Sequence, residues 1–385
     1  MTTASAHGSF DIRPVGDRAG LKAFIDLPNQ LYRGHPRYVP PLSVERDETL
    51  NPKKNAYYQH ADGQYWLAWR DGRPVGRISA QIDRLHLERH GDGAGHFGLL
   101  DAEDDAEVFG QLLRTAESWL AERGMKRIRG PFNLSINEEC GLLVDGFDHP
   151  AMMLMPFAPD YAANRLGERD YRPAKDLLAY TMDVDEAVTI PGERMLERIS
   201  REARITVRPV AMKRYKEELG IVLDIFNDAW ADNWGFVPFT DAEMRQIAKG
   251  MRPLVRPALN FVAEVEGEPA AMIICLPNLM EIIGDLDGRL LPMGWAKLLW
   301  RLKTHRFRSC RVPLMGIRQR YHGSMIGSAL LPLLLKSLHH GLVAEGFSRV
   351  EMSWILDDNK PMRRVMESLG AEAYRTYRIF EKPLA

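Results

Sequence analysis

The sequence predicts an α/β chain of two tandem units, each a mixed sheet flanked by helices, covering residues 1–190 and 191–385. Its 385 residues exceed one ordinary core and suit two domains. Residues 66–78, WLAWRDGRPVGRI, and 261–273, FVAEVEGEPAAMI, share one pattern: an apolar strand, a turn glycine, a proline two residues later and a second apolar strand. Gly72 matches Gly267 and Pro74 matches Pro269 at the same offset of 195 (267 − 72, 269 − 74). The segments C-terminal to the two hairpins repeat as well.

In the first unit, residues 106–123 have helical periodicity, Gly124 comes next, and MKRIRGPF reads as a strand. In the second, residues 328–345 are helical, then come Gly346 and the strand FSRVEMSWIL. Each unit then runs helix into strand: PDYAANRLGERDY into LLAYTMDV, and NKPMRRVMESLG into AYRTYRIFEKPL. The shared order is strand, strand, helix, strand, helix, strand. Residues 191–208 read as a charged connecting helix, and residues 278–311 as an insertion in the second unit.

A formal net charge of −1 gives no global field for nucleic acid or a membrane, so any such attraction must be local. Cys140, Cys275 and Cys310 lack metal-ligand spacing and read as reduced cytosolic thiols. The N-terminus lacks the pattern of a signal peptide, and no apolar run reads as long enough to span a bilayer. The expected location is the cytoplasm, with peripheral contact to the inner membrane as the furthest extension.

Residues 312–331, VPLMGIRQRYHGSMIGSALL, give a strand, a basic glycine loop and a helix. This segment resembles the donor motif of the GNAT N-acyltransferases. The resemblance implies an acyl-CoA donor and no metal. It assigns the donor to Met315, Gly316, Ile317, Arg318, Gln319, Arg320, Tyr321, His322, Gly323, Ser324, Met325, Ile326 and Gly327. A backbone amide near Met315–Ile317 would polarise the thioester carbonyl, and the loop Arg318–Gly327 would hold the pyrophosphate at a helix N-terminus. Asn359 matches the asparagine that opens the next helix in that family, and the resemblance assigns it to the donor as well. His322 and Met325 depart from the usual basic residue and glycine, and Met366 stands where many members carry a tyrosine acid. The matching loop of the first unit carries Asp101, Glu103, Asp104, Asp105 and Glu107, whose charge would repel a pyrophosphate. Residues 130–161 and 226–238 are similar to a narrower group, the bacterial ceramide synthase-type acyltransferases, which implies a sphingoid-type lipid amine as acceptor.

For the proton of the amine, Glu351 is the leading base, because strand alternation sets it with Ser353 on one face of RVEMSW. A structural ion pair with an arginine is the alternative. Glu139, with Asn137 and Glu138 in the loop before GLLV, is the second candidate, against a solvated turn. Asn137, Glu138, Asn227, Trp230, Asn233 and Trp234 are the acceptor-pocket candidates, with Asn227, Trp230 and Trp234 sharing one helical face. The alternative is that these tryptophans are core.

Residues 292–308 combine Trp295, Leu298, Leu299 and Leu302 with Lys297, Arg301, Lys303, Arg306 and Arg308. They read as a basic amphipathic helix suited to an anionic membrane, to coenzyme A or to an acyl carrier protein; the alternative is a helix packed on its own domain. No RNA- or DNA-reading motif accompanies the patch. The expected activity is transfer of an acyl group from acyl-CoA to a lipid amine, giving a ceramide. The alternatives are an acetyltransferase for a small soluble amine and an inactive GNAT-like binding module.

Overall fold

The computed structural model describes residues 10–184 and 193–384, and the boundary expected near 190 lies outside them. A single cut there does not separate the two compact units. Unit 1 holds the chain up to Asp176 together with Ile283–Trp295 and the segment from Tyr377 onward; unit 2 holds Leu177–Ile282 and Ala296–Thr376.

The elements in chain order are β1 (Phe10–Pro14), α1 (Arg18–Leu31), α2 (Ser43–Leu50), β2 (Ala61–Arg70), β3 (Arg73–Asp83), α3 (Arg84–His90), β4 (Ala94–Ala102), α4 (Ala106–Ala121), β5 (Arg127–Gly130), β6 (Leu142–Asp145), α5 (Ala162–Gly167) and β7 (Arg172–Asp183). They continue with α6 (Glu193–Glu202), β8 (Ile205–Pro209), α7 (Tyr215–Ala229), α8 (Asp241–Met251), β9 (Asn260–Val265), β10 (Glu268–Pro277), α9 (Met280–Ile283), α10 (Gly294–Thr304), β11 (Ser309–Ile317), α11 (Met325–Glu345), β12 (Arg349–Leu356), α12 (Lys360–Ser368) and β13 (Glu372–Pro383).

The two hairpins are built alike. Asp71 and Gly72 join β2 to β3 with φ of 50° and 76°, and Glu266 and Gly267 join β9 to β10 with 53° and 88°. Two left-handed residues make the two-residue turn whose twist matches that of paired strands. Each unit has a third antiparallel strand before the main helix: β4 in unit 1, which the predicted order lacked, and β11 in unit 2, which holds the strand read at the start of residues 312–331.

In unit 1, β1, β2, β3 and β4 pair antiparallel, β4 and β5 pair parallel, and β5 takes the end of β13, with Phe380 opposite Gly130. In unit 2, β8, β9, β10 and β11 pair antiparallel, β11 and β12 pair parallel, and β12 takes the end of β7, with Glu351 opposite Thr181. The partner of β5 in unit 1 thus comes from the C-terminal end of the chain, and the partner of β12 in unit 2 from a segment before residue 184. Phe24, Leu27, Tyr57 and Leu67 anchor one core, while Val222, Ile225, Phe226 and Met272 anchor the other. Burying each such side chain is worth about 1.5–3 kcal/mol.

Two expectations need correction. The connecting helix over 191–208 is shorter: α6 ends at Glu202, Arg204 turns the chain with φ of 49°, and β8 comes next. An apolar segment of membrane-spanning length does exist, since α11 has 21 residues and enough apolar character to cross a bilayer. The sheet explains that composition, because Ala329, Leu330, Leu331, Leu334, Leu335, Leu338 and Leu342 are buried along one stripe of it.

Candidate functional site

In unit 2 the parallel pairing of β11 and β12 runs from Ser309↔Arg349 to Val312↔Met352 and stops, although β11 continues to Ile317 and β12 to Leu356. The strands therefore part at their C-terminal ends, where open α/β sheets bind ligands. Pro313, Leu314 and Met315 are half-buried on the diverging stretch. Trp230 Nε1 donates to the Met315 carbonyl oxygen at 3.2 Å, and a Cβ on Gly316 would lie 2.9 Å from that of Ala229. Gly316 thus lets the end of α7 lie against the strand.

The loop after β11 is braced by aspartates. Arg318 donates to Asp224 and to the Pro269 carbonyl oxygen, Gln319 N donates to Asp228 at 2.7 Å, and Gln319 Nε2 donates to Asp232 at 2.8 Å. Arg318 and Gln319 therefore hold the loop on unit 2, in addition to any role toward a donor. His322 Nε2 is 2.9 Å from the Ile317 carbonyl oxygen, and Arg320 is exposed and stacks on Tyr321. Gly323 takes φ of 68°. Ser324 caps α11: its hydroxyl accepts from Gly327 N at 2.9 Å and donates to the Tyr321 carbonyl oxygen at 2.7 Å. A Cβ at Gly327 would lie 2.1 Å from that same Tyr321 oxygen, so the glycine is needed for the loop to fold against its helix. Among the described residues, the N–H groups of Gly323, Met325 and Ile326 meet no protein acceptor. Met325, at the helix start, is 65% exposed, so its side chain points away from the packed loop. Asn359 caps α12 by accepting from Met362 N at 3.2 Å.

Glu351 lies at the root of this fork with 0% exposure. Its Oε1 accepts from the Ser353 hydroxyl at 2.6 Å and lies 3.3 Å from Arg311 Nε; its Oε2 accepts from the Tyr374 hydroxyl. Arg311 Nε also donates to Ser353 Oγ at 2.8 Å, and Arg375 stacks on Tyr374. The ion-pair alternative is thus realised. Both carboxylate oxygens are engaged, so Glu351 can take a proton only through a hydroxyl that touches it. Ser353 was legible from strand alternation, Arg311 required the parallel register, and Tyr374, far along the chain, gave no sequence signal.

Asn137, Glu138 and Glu139 belong to unit 1. Glu139 receives hydrogen bonds from Arg46 and from Asn133 Nδ2 at 3.2 Å, and Asn137 N donates to Ser135 Oγ at 3.1 Å. Burial opposes the charge of Arg46, but Glu139 and Glu45 outweigh it and hold the guanidinium protonated. Glu139 is therefore half of an ion pair, not a solvated turn residue.

The shared helical face of Asn227, Trp230 and Trp234 is not found, because α7 ends at Ala229 and Trp230 caps it. Asn233 N donates to the Trp230 carbonyl oxygen, and Gly235 turns the chain with φ of 69°, so Asn233 and Trp234 lie beyond the helix. Asn227 Oδ1 accepts from Phe239 N at 3.3 Å and pins the returning chain. Trp230 bonds to the fork through the Met315 carbonyl oxygen.

The equivalent fork in unit 1 is filled. After Ala94↔Arg127, Gly95↔Ile128 and His96↔Arg129 the chain stays beside β4. Phe132 N donates to the Phe97 carbonyl oxygen at 2.7 Å, and Leu99 N donates to Asn133 Oδ1 at 2.9 Å. Gln81 Nε2 donates to the Phe132 carbonyl oxygen at 2.7 Å. The approach is so close that a Cβ on Gly98 would lie 1.7 Å from that oxygen. Every residue of β4 is buried. Four of the five acids of the matching loop are neutralised: Asp101 by Arg77, Glu103 by Arg73, Asp104 by Arg165 and Asp105 by Arg70. Charge repulsion is thus the lesser barrier to a phosphate here. The greater is occupancy, since Asp105 accepts from Glu107 N and Val108 N and takes the amides at the start of α4. Burial pushes its carboxyl up, but Arg70 and those amides outweigh burial and hold it below the usual range.

No family model matches the chain. The whole chain is 44% identical, over 385 residues and all of that protein, to a bacterial ceramide synthase from Caulobacter vibrioides. It is 42% identical over 374 residues to the protein YghO of Escherichia coli, covering 97% of this chain and 95% of that one. A tandem GNAT protein from the clavulanic acid biosynthesis pathway has the same fold, with a TM-score of 0.59 and 13% identity over 98% of this chain and 99% of that one. A GCN5-related N-acetyltransferase from Sphaerobacter thermophilus gives 0.51 and 14% over 97% and 96%. With two units of one plan and full-length identity above two-fifths, the chain belongs to the GNAT-fold N-acyltransferase family that holds the Caulobacter ceramide synthase and YghO.

Proposed function

We propose that this N-acyltransferase moves an acyl group from acyl-CoA to a long-chain lipid amine of the sphingoid type, giving a ceramide. One observation carries the reading: the strands of unit 2 part beside a helix N-terminus whose first amides are unspent. Amides at the positive end of a helix dipole favour the pyrophosphate of coenzyme A. The diverging edge of β11 suits a thioester lying along it. The sphingoid acceptor rests on the name of the Caulobacter relative.

In the reaction the amine nitrogen forms a bond to the thioester carbon, the C–S bond breaks, and the amine proton passes to a base while the thiolate takes one up. Glu351 is the proton sink, acting through the hydroxyl of Ser353 or Tyr374, both of which donate to it. Glu139 and its Arg46 partner order the unit 1 loop. Trp230 fixes the β11 edge by its bond to Met315.

Incubating the purified protein with acyl-CoA or acyl carrier protein and a panel of long-chain and short amines, read by mass spectrometry, tests the reading. The expected product is the long-chain amide from acyl-CoA. Exclusive acylation of short soluble amines would replace the lipid acceptor, and no product from any pair would remove the catalytic reading. Tyr374→Phe separates the two hydroxyls: general acid–base loss of about 10²-fold in kcat with an unchanged KM is expected if Tyr374 relays the proton. An unchanged pH profile and rate would leave Ser353 as the relay.

A further inference from the structure

The nine exposed large hydrophobic side chains of the described residues are unevenly spread: five of them, Leu291, Met293, Trp295, Leu299 and Trp300, fall within ten consecutive residues. Their exposures are 81%, 67%, 50%, 52% and 64%. None of the eleven residues of α10 is buried. A helix packed on its own domain hides an apolar stripe, and α10 does not.

The helix is nonetheless held in place. Arg301 donates to the Ile282 carbonyl oxygen at 2.6 Å, and His305 Nε2 lies 3.2 Å from Glu281. Glu281 also accepts from Ser309 N at 2.7 Å and Arg308 N at 3.1 Å, and Phe307 is a buried plug. Arg301 is therefore a brace. Lys297, Lys303, Arg306 and Arg308 are all exposed. The sequence holds no Asp or Glu from Gly288 to Ala344.

We infer that α10 and the turn before it dock on an anionic phospholipid surface. Tryptophan and leucine enter the boundary between headgroup and acyl chain, and the cations meet lipid phosphates. Each basic residue near such a surface adds to the attraction. Its exposed cations, with no acid among them in the sequence, make the patch complementary to anionic lipid and poorly complementary to a neutral one. α10 leads into the start of β11, whereas the fork opens toward its end. At about 3.3 Å per residue the strand sets these two points on the order of 25 Å apart, so the docking surface orients the protein and is separate from the fork.

Flotation of the full chain on phosphatidylglycerol vesicles and on phosphatidylcholine vesicles tests this. Binding is expected to the anionic vesicles alone, to fall as salt rises because exposed charges are screened over about 8 Å at physiological ionic strength, and to fall at least tenfold in Lys303→Gln/Arg306→Gln and in Trp295→Ser/Trp300→Ser. All four positions are exposed, so both variants should melt like the wild type, and thermal unfolding verifies it. Failure of the wild type to float on anionic vesicles overturns the proposal, as does equal flotation of both variants. Equal binding to both vesicle types also overturns it. A wild-type dimer that the tryptophan variant converts to monomer, with no flotation, assigns the face to a second copy of the chain instead.

Discussion

In unit 1 the gap beyond the parallel strands is filled by residues 131–134 of the chain itself, while in unit 2 the same two strands part and leave Pro313–Met315 half-buried. The helix after the fork differs in the same sense. Asp105 spends the amides opening α4, whereas Ser324 takes only Gly327 N at the start of α11 and leaves those of Met325 and Ile326. The roots of the forks differ too. His96 faces Arg129 in the register of one, and Arg311 faces Glu351 in that of the other. One topology thus gives a brace in one copy and an open edge in the other, and a handful of side chains makes the difference.

The largest effect should come from breaking the filled fork. Gly98→Val pushes methyl groups into the Phe132 backbone and should cost about 3 kcal/mol or more, measured by urea unfolding. Met315→Val in unit 2, on the half-buried edge, should cost less than about 1.5 kcal/mol. Equal costs would mean that the two forks do not differ in solution.

A smaller effect sharpens the contrast between the helix starts. Met325→Glu gives α11 the acidic first turn that α4 already has. It should weaken coenzyme A binding by roughly tenfold in calorimetry while leaving the fold slightly more stable, since a carboxylate suits a helix N-terminus by about 0.3–1 kcal/mol. Unchanged affinity would remove the helix start as the anion site.

The smallest effect is on pH dependence. Burial pushes the His96 imidazole well below its usual range, with the nearby His86 and Arg129 reinforcing it and Asp92 opposing it. His96 is therefore neutral when folded and protonates more readily when unfolded. Its contribution is complete above about pH 6.5 and shrinks as pH falls from there toward its folded value. His96→Phe should flatten the fall in Tm between pH 7 and 5, at about 3 °C per kcal/mol. A slope from His86, whose imidazole is also pushed down by burial, should remain. Asp92, held at about 2, titrates below that window. An unaltered Tm curve would mean that His96 is not buried neutral.

The repeat was legible because hairpin turns are local: Asp71–Gly72 and Glu266–Gly267 announce left-handed turns without any tertiary context. The glycine loop before α11 was legible for the same reason. The Glu351 network was only half visible, since alternation pairs it with Ser353 while Arg311 and Tyr374 reach it across strands. The face proposed for Trp230 and Trp234 failed because periodicity does not show that the helix stops at Ala229. In sequence the acids of unit 1 form a repelling cloud, because the arginines that pair with four of them come from distant segments.

The crossed closing strands have a consequence for biosynthesis. Phe380 lies opposite Gly130, 250 residues earlier (380 − 130). At about 5–20 residues per second a ribosome needs on the order of 10–50 s to make that stretch. Until then β5 offers a bare edge of backbone donors and acceptors, the kind of edge on which strands of other chains pair. Unit 1 is therefore finished last although it is made first, and a nascent chain of this protein is a natural client for chaperones that cover open sheets.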